Sequence, residues 1–352
     1  MISMKDDLAV VLKRARATDE LTMYVIVPDA PGLSFGAATV VQYVAAVAGS
    51  LVGFMLQFPC IVRPGKLVSA INNDDPNLKR ILRYYDRTES RIGYLYLLRG
   101  TKHFGWYELG QSKWRLTQAM RRMEDELGER LDLPADAEVL DAGCGMGDVA
   151  RTMATKYRLR ATGIDILDFN IEEARKRSAS SGLGDRANFQ IGDYHKLDFP
   201  DVTFDGVYTM ETLVHASDPE KVLSEFRRVL RPGGRLVMFE YSHTPEPELS
   251  PAAIKAFHQV CDLGAMPTWQ RLEHGDMESL LKEEGFIVDS AEEVSKRILP
   301  MLHAFYLLGR FPYFVGRVTN RVPKVVNAMS GVEMWRHREA WRYNIYVAHK
   351  PS

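Results

Sequence analysis

The amino-acid sequence predicts an α/β fold built around a doubly wound parallel sheet. Short apolar runs recur at regular intervals over residues 115–245, and helical patterns separate most of them. Strands that alternate with helices of this length need crossover connections, which make the strands parallel and place helices on both faces of the sheet. A glycine-rich turn follows the first run, as in sheets of this type that bind ligands at their edge.

The strands predicted in this segment are short apolar runs. In chain order they are Glu138–Ala142, Arg160–Asp165, Ala187–Ile191, Phe204–Met210 and Arg235–Tyr241. The helices predicted between them are Asp148–Tyr157, Phe169–Ser181 and Pro219–Leu230. The strands are largely uncharged because both faces of a parallel sheet are covered.

The remaining third of the chain predicts three further elements. Asp276 is expected to cap a helix over Met277–Glu284, and a strand over Phe286–Ser290 follows. The alternating pattern of Arg342–Ala348 is typical of an edge strand. Between these two strands, Ile298–Gly316 is rich in Leu, Phe and Tyr and poor in charge. We expect an insertion there that covers a site or lies on lipid, with plain core as the alternative.

Composition and charge exclude several classes of protein. Hydrophobic residues make up 46% and charged residues 26% of the chain, which excludes wholesale disorder. The net charge is -1 and no basic stripe occurs, so a nucleic-acid partner is not expected. The three cysteines, Cys60, Cys144 and Cys261, are widely separated, which argues against a disulfide framework and favours a reducing, intracellular compartment. No Cys/His cluster has metal-ligand spacing, so no metal is predicted.

An uncharged stretch near the N-terminus has two interpretations. Residues 30–62 contain no Asp, Glu, Lys or Arg, and the central Ala37–Phe58 is long enough to cross a bilayer as a helix. The basic residues between Arg63 and Arg83 would hold the rest of the chain on the cytoplasmic side. Gln42, Gln57 and several glycines favour instead a buried helix or a hydrophobic lid in a soluble, cytoplasmic enzyme. The sequence leaves both open, and it gives no prediction of oligomeric state.

The glycine-rich turn has a specific pattern. Asp141-Ala142-Gly143-Cys144-Gly145-Met146-Gly147 follows the first strand with G-x-G-x-G spacing. Glycines let the backbone turn sharply and let a ligand approach where a Cβ would clash. Asp141 would repel a pyrophosphate but attract an ammonium group. The pattern therefore favours a ligand with an amino-acid part.

Two more acids follow the next strands and complete a nucleoside site. Asp165 ends the second strand, about twenty residues after the glycines, where a carboxylate can accept both ribose hydroxyls. Asp193 follows the third strand and can accept from an adenine amino group. Tyr194 or Ile166 would then pack on the ring.

Together these residues resemble the class I S-adenosylmethionine-dependent methyltransferases, which have a Rossmann-like sheet. The resemblance implies S-adenosyl-L-methionine as cofactor, with Asp141, Gly143 and Gly145 around its methionine part. It also implies Asp165 on the ribose and Asp193 on the adenine.

A longer set of segments is similar to the sterol 24-C-methyltransferases. The segments are Arg83–Asp86, Thr101–Tyr107, Met210–Ala216, Phe239–Tyr241 and Asp262–Pro267. Leu213-Val214 replaces the Thr-Cys of that family and Tyr241 replaces its Trp. The implied division is an N-terminal segment 1–29, the apolar segment 30–62, a substrate-side helical region 63–114, the cofactor domain 115–245 and a sterol-methyltransferase-like region 246–352.

This resemblance implies methyl transfer to a sterol or other isoprenoid alkene through a carbocation. Such a cation needs aromatic faces or a carboxylate, and a base for the final proton. The candidate catalytic residues are Glu211, His215, Tyr84 and Tyr107, and Glu211 is also a candidate cofactor ligand at the end of its strand. Two alternatives are O- or N-methylation of a polar specialised metabolite and a non-enzymatic adapter.

Overall fold

The computed structural model describes the backbone of residues 9–14, 21–26, 76–85, 98 and 100–352. The chain divides into two units, residues 1–62 and residues 63–352. In the first unit, β1 (Ala9–Arg14) and β2 (Leu21–Ile26) form an antiparallel pair. The apolar segment 30–62, for which an anchor and a lid were both predicted, lies outside the described residues.

The second unit is built on a seven-stranded sheet. Its strands are β3 (Glu138–Ala142), β4 (Arg160–Asp165), β5 (Ala187–Ile191), β6 (Phe204–Met210), β7 (Leu230–His243), β8 (Ile287–Glu293) and β9 (Trp341–His349). Their spatial order is β5-β4-β3-β6-β7-β9-β8. The first five strands of this order are parallel, and β9 runs antiparallel to both β7 and β8. The predicted α/β class with a parallel sheet is confirmed.

The prediction of an edge strand at Arg342–Ala348 is wrong. β9 lies between β7 and β8, and most of its residues are buried on both faces. β8 is the edge strand instead, with Ile287 49% exposed. The alternation around Tyr343 and Ile345 correctly indicated a buried face. It gave no information on which strands pair with β9 along its two edges.

Helices connect and cover the strands of the second unit. They are α1 (Pro76–Tyr85), α2 (Leu116–Leu131), α3 (Asp148–Lys156), α4 (Asp168–Ser180), α5 (Pro219–Val229), α6 (Pro251–Gly264), α7 (Pro267–Arg271), α8 (Asp276–Glu283), α9 (Ser295–Val318) and α10 (Val326–Arg336). Asp218 starts α5 by accepting from the Lys221 N–H, and Pro219 occupies the first turn, where no N–H partner is needed. Asp276, which was predicted to cap α8, is its first residue, and Gly275 is at the cap position. The Asp276 carboxylate accepts from the Glu273 N–H, which lies before the helix.

Two apolar layers cover the two faces of the sheet. Val139 of β3 joins the layer under α2, α3 and α4, whereas the next residue, Leu140, joins the layer under α5 and α8. The alternation of neighbouring side chains between layers is the geometry of a strand buried on both sides. This double cover fixes the carboxyl ends of β3, β4, β5 and β6 at one edge of the sheet.

Close backbone contact holds α9 against α10. A Cβ on Gly309 would lie 2.8 Å from the Ala328 carbonyl oxygen, and one on Gly316 would lie 2.5 Å from a methyl of Val325. The buried side of α9 also reaches the segment before α2, where the Gly105 N–H lies 3.1 Å from the Met301 sulfur. The predicted insertion at Ile298–Gly316 is therefore a helix with one face in the core and the other exposed.

Candidate active site

A cavity of about 440 Å³ lies at the carboxyl edge of the parallel strands. The loops after β3, β4, β5 and β6 form its floor, and α1 with residues 100–103 forms the opposite wall. Ligands of open α/β sheets bind at this edge. The predicted cofactor residues that line it are Asp141, Gly143, Gly145, Asp165, Ile166, Asp193, Tyr194 and Glu211.

The glycines after β3 differ in what surrounds them. Gly143 has φ +90°, and a Cβ there would lie 2.7 Å from the Thr212 side chain. The positive φ and this protein contact both require glycine at position 143, which also lines the cavity. At Gly145 a Cβ would meet, among the residues that the structure describes, only the Lys102 side chain, at 3.9 Å. The open approach that the motif predicts for a ligand is thus found at Gly145.

Asp141 supplies a buried negative group to the cavity wall. Its side chain is 4% exposed, and its Oδ2 has no hydrogen-bond partner among the described residues. Burial raises the pKa of Asp141 to about 7, the nearby Asp165 adds to the increase, and the Tyr208 hydroxyl and the Ala150 N–H oppose it. A buried carboxylate oxygen without a hydrogen bond is costly, so a cationic ligand group beside Oδ2 would be favoured. The site fits the ammonium group of an amino-acid ligand.

We expect cofactor binding to release a proton at Asp141. The folded-state pKa is raised, so the carboxyl is largely protonated below pH 7, and an ammonium ligand lowers that pKa by stabilising the anion. S-Adenosylmethionine affinity should therefore increase as pH rises towards about 7. Titration calorimetry in two buffers of different ionisation enthalpy measures the proton released, and Asp141→Asn should abolish it. The same proton count in that variant would contradict the assignment.

Asp165 connects the glycine turn to the loop after β4. Its Oδ2 accepts from the Gly145 N–H at 2.9 Å and from the Asn170 amide at 3.1 Å, and its Oδ1 accepts from the Leu167 N–H at 2.8 Å. Each carboxylate oxygen has two lone pairs, so Oδ1 can accept one more hydrogen bond. The same side chain therefore shapes the turn and faces the cavity.

Asp193 is held by the residue two positions later. Its Oδ1 accepts from the backbone N–H of His195 at 2.9 Å and from the His195 ring at 2.7 Å. Burial acts to raise the pKa of Asp193, but the His195 hydrogen bonds outweigh burial and lower it. The carboxylate is thus kept ionised and able to accept from a ligand. The neighbouring Tyr194 donates its hydroxyl to the Thr212 carbonyl at 3.1 Å.

Glu211 follows β6 at a strained position with φ +60°. Its carboxylate accepts from the Phe104 N–H at 2.6 Å, from the Tyr343 hydroxyl at 2.8 Å and from the Tyr241 hydroxyl. Burial raises the pKa of Glu211 to about 7 although these donors act to lower it. The site thus contains a positioned carboxylate whose charge changes near neutral pH.

A second polar pair lies on the same wall. The His215 Nδ1 lies 2.9 Å from the Ala265 carbonyl, so this nitrogen carries the proton, and Nε2 accepts from the Tyr85 hydroxyl at 3.1 Å. Burial lowers the pKa of His215 to about 4, which keeps the ring neutral. The Lys102 ammonium lies 4.5 Å from the centre of the Tyr85 ring. Glu211 and His215 both line the cavity, although a 3₁₀ turn rather than an α-helical turn connects them.

Two predicted catalytic tyrosines do not line this cavity. Tyr84 donates its hydroxyl to Asn327 at 2.7 Å, and Tyr107 donates to the Lys113 carbonyl at 3.0 Å. The prediction of catalytic contact for Tyr84 and Tyr107 is not supported by the geometry of this cavity. Tyr85 occupies it instead, because consecutive residues of α1 point about 100° apart.

A buried residue that the sequence did not indicate holds the backbone of the site in place. Glu240 of β7 is 1% exposed, and its Oε1 accepts from the N–H groups of Thr212 and Leu213. It therefore fixes the turn between Glu211 and His215. Glu240 stands within the Phe-Glu-Tyr segment, but nothing in that pattern indicates a contact with the turn 28 positions earlier.

Comparisons with known proteins agree with this geometry. A methyltransferase domain family model matches residues 139–234. The chain is 34% identical over 279 residues to the S-adenosyl-L-methionine-dependent Diels-Alderase iccD of Talaromyces variabilis, covering 78% of this chain and 95% of that protein. It is 32% identical to the O-methyltransferase resE of Aspergillus sclerotiorum, covering 58% of this chain and 75% of that protein. It is 28% identical to the sterol 24-C-methyltransferase erg-4 of Neurospora crassa, covering 65% of this chain and 62% of that protein.

A solved structure has a similar fold. The [4+2]-cyclase SpnF is 25% identical with a TM-score of 0.60, covering 74% of this chain and 94% of that chain. The resemblance to methyltransferases, including the sterol enzymes, and the cofactor predicted from it are confirmed. This chain belongs to the S-adenosylmethionine-dependent methyltransferase family and is an S-adenosylmethionine-dependent methyltransferase.

Proposed function

We propose that the enzyme transfers a methyl group to an alkene carbon of a lipophilic isoprenoid or sterol-like molecule through a carbocation. The observation that carries this proposal is the Glu211 carboxylate, which lines the cavity together with the Tyr85 and Tyr194 rings. The Tyr241 and Tyr343 rings, which are 5.3 Å apart and do not line the cavity, hold this carboxylate in place with their hydroxyls. Aromatic faces and a carboxylate stabilise a desolvated cation.

We assign the contacts with the cofactor to residues that line the cavity. Asp141 would hold the ammonium group of the cofactor, Asp165 its ribose and Asp193 its adenine, with Ile166 and Tyr194 against the ring. The bound cofactor supplies an electrophilic methyl group on a sulfonium, and this needs no base for activation. The protein has to align donor and acceptor and exclude water.

Glu211 and His215 would act after the methyl group has left its donor. The Glu211 carboxylate stabilises the cation on the acceptor by charge. The proton next to a carbocation is acidic, so a weak base is sufficient to remove it. The Tyr85 hydroxyl can accept that proton and pass its own to the neutral His215 Nε2, at 3.1 Å. The carbonyl of Ala265 holds the His215 ring in the required orientation.

The proposal is tested with methyl-labelled S-adenosylmethionine and isoprenoid and sterol extracts. We expect one labelled methyl group on carbon in a hydrophobic product, together with an equal amount of S-adenosylhomocysteine. Label on an oxygen or nitrogen would contradict the proposal and establish the polar-metabolite alternative. Mass spectrometry with fragmentation distinguishes these outcomes.

A second candidate reaction is ring closure of a polyene. The relative that favours it is the Diels-Alderase, of whose length this chain covers 95%. The Lys102 ammonium, which lines the cavity, could stabilise negative charge that develops on a conjugated carbonyl, without methyl transfer. In the same assay this reaction would give an unlabelled isomer of the substrate and no S-adenosylhomocysteine.

A further inference from the structure

The exposed side of α9 carries a continuous apolar stripe. Leu307, Leu308, Phe311, Phe314 and Val318 are 36%, 46%, 37%, 52% and 70% exposed. Their spacing places them along one side of the helix. Scattered apolar residues on a surface need no explanation, but a contiguous stripe that contains two phenylalanines marks an interaction surface.

The opposite side of α9 packs against the rest of the protein. Ser295–Val318 is long and apolar enough to span a bilayer by length and composition, but one third of its apolar window is buried in the protein. Gly309 and Gly316 bring it into close backbone contact with α10 and the turn before it. Lipid cannot surround a helix that packs in this way. The exposed stripe would therefore lie on an apolar partner surface rather than cross it.

Charge identifies the kind of partner. No Asp or Glu occurs between Glu293 and Glu333. The exposed basic residues that accompany the stripe are Arg310, Arg317, Arg321 and Lys324. Two of them lie over neighbouring rings of α9, Arg310 at 5.5 Å from the centre of Tyr306 and Arg317 at 5.9 Å from Tyr313. A second copy of this chain across a two-fold axis would bring these cations together, whereas an anionic lipid surface complements them.

We propose that the exposed stripe of α9, together with the basic turn that follows it, docks on an anionic phospholipid membrane. The apolar side chains enter the boundary between headgroups and acyl chains, and the four cations contact lipid phosphates and carboxylates. No residue of the stripe lines the cofactor cavity. The proposal thus rests on its own observations, and it can fail or succeed independently of the acceptor proposed above.

Vesicle sedimentation of the full-length protein tests this proposal. We expect binding to phosphatidylcholine vesicles that contain about one-third phosphatidylserine, weaker binding to pure phosphatidylcholine, and a decrease with salt. Phe311→Ser with Phe314→Ser should weaken binding more than about tenfold. Arg321→Gln with Lys324→Gln should weaken it about tenfold at low salt. The second pair lies at the surface, so it also serves if the first pair affects folding.

Matched controls separate docking from general surface effects. Ile287→Ser removes a comparably exposed apolar residue from β8, and Lys176→Gln with Lys255→Gln removes two exposed cations from other helices. Both controls should bind vesicles as the wild type does, and every variant should keep its melting temperature and cofactor affinity. The proposal would be overturned if the phenylalanine double variant and the Arg321/Lys324 double variant both bound vesicles as the wild type does. Equal binding of the wild type to neutral and anionic vesicles would also overturn it. A dimer in vesicle-free solution that the phenylalanine variants dissociate would also overturn it.

Discussion

Glu211→Gln is expected to lower kcat by about 10²–10³-fold and to leave S-adenosylmethionine affinity close to that of the wild type. Gln has the shape of Glu and can still accept from the Phe104 N–H and the Tyr343 hydroxyl, so the site should keep its structure. What disappears is the negative charge that we assign to stabilising the cation. Single-turnover rates with the identified acceptor, together with calorimetric cofactor titrations, measure both quantities.

The pH profile provides an independent measurement of the same charge. Burial raises the pKa of Glu211 to about 7, so the carboxylate is protonated below that pH, and the wild-type kcat should increase through about pH 7. This increase should be absent in Glu211→Gln. Tyr343→Phe removes one donor but keeps the charge, so it should reduce kcat much less. Near-normal turnover in Glu211→Gln would make Glu211 a structural residue, and loss of cofactor affinity would make it a cofactor ligand.

Gly143→Val is expected to weaken S-adenosylmethionine binding by at least roughly a hundredfold, because it combines overpacking with backbone strain. A Cβ at Gly143 would lie 2.7 Å from the Thr212 side chain, and φ is +90°. The turn must then move, and with it the Gly145 N–H that Asp165 holds. Fluorescence or calorimetric titration measures the loss, and a melting curve shows that the protein remains folded.

Gly110→Val is the matched control for this substitution. Gly110 also has a positive φ, +81°, but no atom of the described part of the chain lies within 4 Å of a Cβ placed there. It therefore introduces comparable backbone strain without the steric contact. Cofactor binding should be unchanged in Gly110→Val. Wild-type affinity in Gly143→Val would show that the turn tolerates a side chain and that the contact with Thr212 does not hold the cofactor site in place.

The parallel part of the fold could be predicted because its determinants are local. Each strand from β3 to β6 is an apolar run bounded by turn residues, and the Asp218-Pro219 pair begins α5 as its sequence predicts. The position of β9 could not be predicted in this way. Its alternation indicates one buried face, but its pairing with β7 and β8 depends on segments far away in the sequence.

The same distinction separates the predicted cofactor residues from the missed ones. Asp141, Asp165 and Asp193 each follow a parallel strand, and the ends of such strands meet at one edge. The Tyr343 hydroxyl reaches Glu211 from 132 positions away, and no sequence pattern encodes that contact. Tyr85 lines the cavity and Tyr84 does not, and the sequence could not distinguish them because adjacent residues on a helix cannot be assigned to a face before its packing is known.

The interior position of β9 has a consequence for folding. Among the described strands, β8 pairs only with β9. Although β8 comes earlier in the chain, it therefore cannot join the sheet until β9 has paired with β7. Until then this edge of β7 has no strand paired with it, and the Tyr343 hydroxyl cannot donate to the Glu211 carboxylate. Long-range pairings of this kind form slowly and leave a strand edge exposed to aggregation. During refolding, recovery of activity should therefore coincide with closure of this edge and follow formation of the cofactor-binding strands.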